Sequence, residues 1–472
     1  MKSYLGLLIL ALAAAVPARG ATATKPNIIF ILADDFGITN LGCTGGIYRS
    51  PNLDALAQSG TLFENAFSAP LCAPTRATLI SGRYIFRTGV KNNGLGSAAT
   101  PEKDGCVALR LKQAGYATAV VGKWRHLSHF TTKADAVKWG FDEFMIWGAG
   151  LPDDEDDDAA TRAAKKAKEK TGQGAKGDLP ARGDRYWTPD YNLNGKMLED
   201  AQGKYGPEVL NDYAIDFIRR HKDGPFFIYY PTPLTHGPIM ATPDSKEQDR
   251  KKKTTGKKML AETPGPDSLY ADNIAYLDKL VGKLVAELDA LQLRENTLII
   301  FAGDNGSVPI GTVRGRIVDG KKGNMTEGGS RVPFITNWRG TTPAGVVRKD
   351  LIDFSDVLPT LCELAGVKPA DGLKIDGKSF AGALRGEPGV ARETIYIQLN
   401  ENRYVRSDRW KLNNAGELFD MKDAPYAELA VAKDTADPEA KAARVKLQAA
   451  LDRVMADDPN REAVPKQKKK KK

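Results

Sequence analysis

Four short apolar runs, each closed by a polar residue capable of chemistry, constrain this chain more than any other feature. The first, Asn27–Ala33 (NIIFILA), is continuously apolar and rich in isoleucine, which suits a strand buried on both faces of a parallel sheet. Similar runs recur at 117–121, 225–230 and 297–302. Helical signals separate them. Ser50 is placed to cap a helix with Pro51 at its first position and Gly60 beyond its end, and residues 270–291 carry apolar side chains at helical spacing. This alternation predicts an α/β chain with a large doubly wound sheet and helices on both faces. In such sheets functional groups collect beyond the carboxyl ends of the strands. Here Asp34 and Asp35 follow the first run, Lys123 the second, His236 the third, and Asp304 with Asn305 the fourth.

At 472 residues the chain has room for one large domain and a smaller companion. The texture changes after about residue 389 to short β-rich pieces at 394–399 and 403–412, then a helix-forming stretch at 437–455. We therefore expect a large domain over 24–390, a small C-terminal α+β subdomain with a short antiparallel sheet over 391–460, and a disordered lysine-rich tail over 461–472. Two stretches poor in large apolar residues, 152–178 and 246–258, read as surface insertions. The acidic run 153–158 lacks the spaced ligands and turn glycine of a calcium loop and reads as solvated.

Residues 1–23 have the form of a secretory signal peptide, cleaved after Gly20 or Ala23, so the mature chain is expected to be exported, periplasmic or secreted. No later stretch approaches the ~20 apolar residues that a membrane helix needs. The formal charge of +9 sits at the ends, in Lys2, Arg19, Lys466 and the five lysines from Lys468 to Lys472, leaving 60 basic against 59 acidic residues in the body. A near-neutral body argues against nucleic acid as a partner, whereas the tail is suited to contact with polyanions. Four cysteines, Cys43, Cys72, Cys106 and Cys362, make no disulfide framework, and none forms a close pair suited to zinc.

Two adjacent aspartates at the end of a buried strand repel one another unless a cation or several donors neutralise them. Either Asp34-Asp35 or Asp304-Asn305 alone reads equally as a turn or cap. Together they form an all-oxygen set suited to a hard ion, Ca²⁺ or Mg²⁺. In the run Cys72-Ala73-Pro74-Thr75-Arg76, Pro74 favours a helix start and Gly82 a helix end, so Cys72 lies at the positive end of a helix dipole with Arg76 on the same face one turn on.

The run from Cys72 to Arg76, extended through Ser81-Gly82-Arg83-Tyr84, resembles the Cys-x-Pro-x-Arg signature of the type I sulfatases, members of the alkaline phosphatase superfamily. Asp34-Asp35, Gly122-Lys123-Trp124, His236-Gly237-Pro238, Gly303-Asp304-Asn305-Gly306, Lys322, Glu327-Gly328-Gly329 and Arg331-Val332-Pro333 follow the family's order. The resemblance implies an alkaline-phosphatase-like fold and hydrolysis of sulfate esters, on a sulfated carbohydrate or an aryl sulfate. It implies that a formylglycine-generating enzyme converts Cys72 to Cα-formylglycine, whose hydrate is the nucleophile. Asp34, Asp35, Asp304 and Asn305, with residue 72, would hold calcium. Arg76 would stabilise the attacking hydroxyl of residue 72, Lys123 and Lys322 would bind sulfate, and His236 would give a proton to the leaving alcohol.

One departure stands out. The family reads Gly-Lys-Trp-His, whereas this chain reads Gly122-Lys123-Trp124-Arg125-His126. With no insertion Arg125 takes the histidine's position, and if the strand continues, alternation puts Arg125 on the face of Lys123, whereas a β-bulge would put His126 there instead. His129 and His221 have no motif around them and are expected in surface or packing roles. Two alternatives stay open: a phosphodiesterase or phosphonate monoester hydrolase of the same superfamily, and a catalytically silent polyanion-binding relative.

Overall fold

The computed structural model describes residues 25–124, 127, 132–147, 185–198, 201, 203–247, 253–254, 265–370, 372–388, 392–458 and 461. The signal segment, Arg125, His126, His129, the 152–178 insertion, the lysines of the tail and most of 246–258 lie outside these residues.

A ten-stranded sheet forms the centre of the large domain. Its strands are β1 (Asn27–Ala33), β2 (Thr61–Phe67), β3 (Ala117–Gly122), β4 (Glu143–Trp147), β5 (Tyr191–Leu193), β6 (Lys196–Met197), β7 (Phe226–Pro231), β8 (Thr297–Gly303), β9 (Phe334–Asn337) and β10 (Val346–Asp353), arranged β10-β2-β9-β8-β1-β7-β3-β4-β5-β6. The block β8-β1-β7-β3-β4 is parallel throughout. Strand β9 runs antiparallel to both of its neighbours.

The four apolar runs are all strands of that parallel block, as expected, and β1 shows why their composition is continuous. Ile28, Phe30 and Leu32 enter one hydrophobic core, while Ile29, Ile31 and Ala33 enter the other. With period-two alternation, a strand covered on both faces tends to be apolar along its whole length. Helices α2 (Cys72–Ser81), α3 (Val107–Gln113) and α6 (Val357–Ala365) fill the first core. Helices α1 (Pro51–Gln58), α4 (Gly206–His221) and α5 (Leu269–Ala290) fill the second. The doubly wound arrangement is therefore present.

Strands β2 and β10 carry no continuous apolar run. In β2 the sequence TLFENAF is broken by Glu64 and Asn65. In β10 the first half alternates between exposed and half-buried positions, and its register shifts between Arg348 and Leu351. Such charge and irregularity suit the outer rim of a sheet.

The C-terminal part forms a five-stranded antiparallel sheet, β11 (Ile395–Leu399), β12 (Asn402–Arg406), β13 (Trp410–Asn413), β14 (Leu418–Asp420) and β15 (Leu429–Val431), beside helix α7 (Pro438–Met455). Leu447 and Leu451 of α7 share a core with Val405, Leu412 and Leu418, and also with Tyr84 and Phe86 from the segment after α2. Among the described residues, no helix is long and apolar enough to cross a membrane.

Candidate active site

The strand register brings the carboxylates together. Ala33 pairs with Gly303 across β1 and β8, so Asp34 and Asp304 leave the sheet side by side, joined by the Asp304 amide donating to the Ala33 carbonyl at 2.9 Å. On a regular strand Asp34 and Asp35 would point to opposite faces. Asp35 instead takes a left-handed conformation, φ 56°, which aspartate tolerates, and both carboxylates reach one site. Its amide donates to Asp304 Oδ1 at 2.9 Å. The loop carrying His236 is tied to the same point by Asp34 N–H on Leu234 O and Thr235 N–H on Asp34 O, both 2.8 Å. Lys123 enters from the end of β3, its amide donating to Pro231 O at 2.7 Å.

Cys72 is the first residue of α2, and Gly82 ends that helix in a left-handed conformation, φ 66°. The Asn93 side chain accepts from the Ala73 amide at 3.1 Å and so caps the first turn, a contact to which no sequence motif points. The Cys72 thiol lies 3.6 Å from Asp34 Oδ1 and 3.7 Å from Asp35 Oδ1, with Lys123 Nζ at 3.9 Å. Burial first, and then the nearby Asp304 charge, push this thiol well above its usual range. Unmodified Cys72 is therefore a neutral thiol and a poor nucleophile.

Three carboxylates face three cations. Lys123 Nζ donates to Asp34 Oδ2 at 2.7 Å, Lys322 Nζ stands 2.8 Å from Asp35 Oδ1, and Arg76 Nη2 stands 2.8 Å from Asp304 Oδ2. All but Lys322, at 17% exposure, are almost wholly buried. Burial would raise the Asp34 and Asp35 carboxyls. Lys123 and His236 hold Asp34 below the usual range, and Lys322 and His236 do the same for Asp35. Burial and the adjacent Asp34 charge push Asp304 up to about 6 against the pull of Arg76.

Side chains alone thus offset the three carboxylates, and repulsion by itself does not demand an ion. A more specific observation favours one. Asn305 spends its Nδ2 group on Asp35 Oδ1 and Gly306 O, both at 2.9 Å, while its buried Oδ1 has no hydrogen-bond partner among the described residues. An orphaned oxygen beside carboxylates fits a hard cation. Ligand atoms of Asp34, Asp35, Cys72 and His236 also lie within 4.8 Å of one another. The donor set therefore fits calcium or magnesium.

His236 Nε2 stands 3.7 Å from Asp35 Oδ2. On its other side, Nδ1 lies 2.7 Å from Arg185 Nη1 and 2.7 Å from Gly237 O. Arg185 is a contact that the sequence did not announce, because it belongs to no recognisable motif. The structure assembles Asp34, Asp35, Cys72, Arg76, Lys123, His236, Asp304, Asn305 and Lys322 in one place. His221 lies apart as expected, packed on Phe217 at the end of α4 with Glu143 at 3.4 Å.

A family model described as Sulfatase matches residues 26–367. The chain is similar to Arylsulfatase D of Homo sapiens, 29% identical with 85% of this chain and 75% of that protein covered. It is similar to N-acetylgalactosamine-6-sulfatase of Canis lupus familiaris, 31% identical with 88% and 77% covered. Among solved structures it resembles Ps i-CgsB in complex with k-i-k-neocarrahexaose, 26% identical over 94% of this chain and 96% of that one, with a TM-score of 0.72.

Proposed function

The chain belongs to the sulfatase family and is a sulfuric ester hydrolase, and we propose that it removes sulfate from a carbohydrate by way of a modified Cys72 and a bound calcium ion. The observation that carries this reading is the placement of Cys72 at a helix N-terminus, 3.6 to 3.9 Å from Asp34, Asp35 and Lys123. A carbohydrate substrate is supported by the resemblance to Ps i-CgsB, which was solved with a neocarrahexaose, and to an N-acetylgalactosamine-6-sulfatase.

Conversion of Cys72 by a formylglycine-generating enzyme would supply an aldehyde hydrate, and with it a nucleophilic hydroxyl where the neutral thiol is inert. Calcium, held by Asp34, Asp35, Asp304 and Asn305, would act as a Lewis acid on the sulfate oxygens. The chain's own residues do the rest. Lys123 and Lys322 present ammonium groups to the sulfate and compensate the charge that develops during attack. Arg76 supports residue 72 from one turn along α2 and keeps Asp304 in place. His236 donates a proton from Nε2 to the departing alcohol oxygen, a contribution of about 10² to 10⁴ in rate. Residues 1–23 direct export before this chemistry begins, and the lysine tail holds anionic polymers without taking part in it.

The test is a screen of sulfated mono- and polysaccharides, with the formylglycine content of the protein measured in parallel. Release of inorganic sulfate in proportion to that content supports the reading. Faster turnover of aryl phosphodiesters than of any sulfate would replace it with the phosphodiesterase alternative.

A further inference from the structure

A basic cleft lies between the large domain and the C-terminal subdomain, beyond the end of α2 that is remote from Cys72. Its volume of about 570 Å³ falls within the range of ligand pockets. Among the described residues six cations line it, Arg87, Lys374, Lys378, Arg392, Lys446 and Arg453, against two carboxylates, Asp376 and Glu393. The body of the chain is close to neutral, so this excess is local.

The cations fall into two sets. Arg87 and Arg392 are mostly buried and fixed from below. Arg87 donates to Asp376 and to Asp457, both at 2.9 Å, and Arg392 donates to Asp356 and to the Tyr84 hydroxyl. The buried Nε of Arg392 has no hydrogen-bond partner among the described residues. An unmet donor on a charged group is costly unless an acceptor reaches it, directly or through water. Lys374 and Lys446 form the rim, each 62% exposed, paired with Asp457 and Glu393, and the exposed Arg453 of α7 lines the same cleft. Ion pairs so open to water contribute little and exchange readily for an incoming anion.

We propose that this cleft binds a sulfated stretch of the polysaccharide away from the ester being hydrolysed. The inference rests on the reading of the substrate as a sulfated carbohydrate. Helix α2 has ten residues, so at about 1.5 Å per residue its far end stands ~15 Å from Cys72, and the anion held here is not the one removed. A sulfated sugar brings anionic oxygens for the cations and hydroxyl protons for the exposed Glu393, whereas the phosphates of a DNA duplex bring only acceptors, which the carboxylates repel. Anchoring the polymer at a second point raises the concentration of its sulfate esters near the active site. The cleft therefore acts on capture of a polymer and has no part in turnover of a small ester.

The test is titration calorimetry of the full chain with dextran sulfate at several salt concentrations, with neutral dextran as the blank. The triple variant Lys374→Ala, Lys446→Ala, Arg453→Ala should weaken binding at least ~10-fold and flatten its salt dependence, because fewer counterions are released. A control variant, Lys222→Ala, Lys279→Ala, Lys283→Ala, removes the same charge from exposed positions on and beside α4 and α5 and should weaken binding far less. Both variants keep the lysine tail, so its contribution cancels. No binding by the unsubstituted chain, equal weakening by the two variants, or duplex DNA bound as tightly through the same three residues overturns the proposal. In the kinetic arm, the cleft variant should raise KM on a sulfated polysaccharide with kcat retained, and leave both constants on 4-nitrophenyl sulfate unchanged. Equal losses on both substrates also overturn it. Should the unsubstituted protein turn over no sulfate ester, the functional reading fails, while the calorimetry still decides whether the cleft holds a sulfated chain.

Discussion

Arg76 grips a single oxygen of Asp304: its Nη2 and Nε donate to Oδ2 at 2.8 and 3.2 Å, while Oδ1 accepts from the Asp35 amide at 2.9 Å. The remaining Nη1 donates to the Lys123 carbonyl at 3.0 Å. One guanidinium thus ties the Cys72 helix to the ends of β8 and β3. Its proposed support of residue 72 is therefore inseparable from its holding the strand ends together.

Removing one partner of such a buried pair leaves the other uncompensated, at a cost of about 3–5 kcal/mol. Arg76→Ala and Asp304→Ala should each destabilise the protein by an amount in that range. The double variant should lose clearly less than the sum. Chemical denaturation of all four proteins checks this, and strict additivity would show that the pair carries no coupling.

Cys72→Ala should abolish sulfate release and leave the unfolding midpoint close to that of the unsubstituted chain, because α2 keeps its Asn93 cap and its buried face. Mass spectrometry of the peptide spanning residue 72 should find formylglycine in active preparations. Activity from protein that carries only cysteine there would refute the proposed nucleophile.

Chelation should remove activity, and added Ca²⁺ or Mg²⁺ should restore it. The orphaned Oδ1 gives Asn305 a particular part in this. Asn305→Leu, similar in size but without the oxygen, should weaken metal retention measured by elemental analysis after dialysis. Full metal content in that variant would remove the residue from the ligand set.

Away from the site, Glu143 on β4 accepts both Arg220 nitrogens of α4, at 2.7 and 2.8 Å, and the Tyr213 hydroxyl at 2.9 Å. Burial opposes its ionisation, but the Arg220 and Tyr213 bonds outweigh this and lower its carboxyl from 4.5 to about 2. A depressed folded value means that the contribution to stability is complete above the unfolded value and is lost as the pH falls through the folded one. The gap in urea midpoint between the unsubstituted protein and Glu143→Gln should therefore be constant above about pH 5 and close between about pH 4.5 and 2. A gap that persists at pH 2 would contradict the assignment.

The departure from the family's Gly-Lys-Trp-His pattern is decided by comparing Arg125→Ala with His126→Ala on an aryl sulfate. Strand β3 ends at Gly122, so alternation does not extend to residue 125; with no insertion Arg125 takes the family position, and its removal should cost ~10²-fold or more in kcat and that of His126 far less. A large loss confined to His126→Ala would mean that the backbone bulges between Lys123 and the histidine.

What the sequence by itself determined was local. The apolar run from Ile28 to Ala33 marked β1, because a strand covered on two faces leaves little room for polar side chains. Pro51 and Gly82 marked the start of one helix and the end of another, because their backbone preferences act within a single turn. The motif residues identified the site before any geometry was known. The tertiary structure decided everything that depends on partners distant in the chain. Strand β2 was illegible because its stability comes from pairing with β9 and β10, not from its own composition. That Asp34 and Asp35 face the same way follows from a left-handed turn at Asp35, which strand alternation alone would deny. The matching of Lys123 to Asp34, Lys322 to Asp35 and Arg76 to Asp304 arises from the strand register and loop packing. Arg185 meets His236 across 51 residues of chain, because the end of β4 carries Trp147 to a place where a guanidinium can lie on its face. Contacts of that kind have no local signature, since the packing that brings the two residues together is a property of the whole fold.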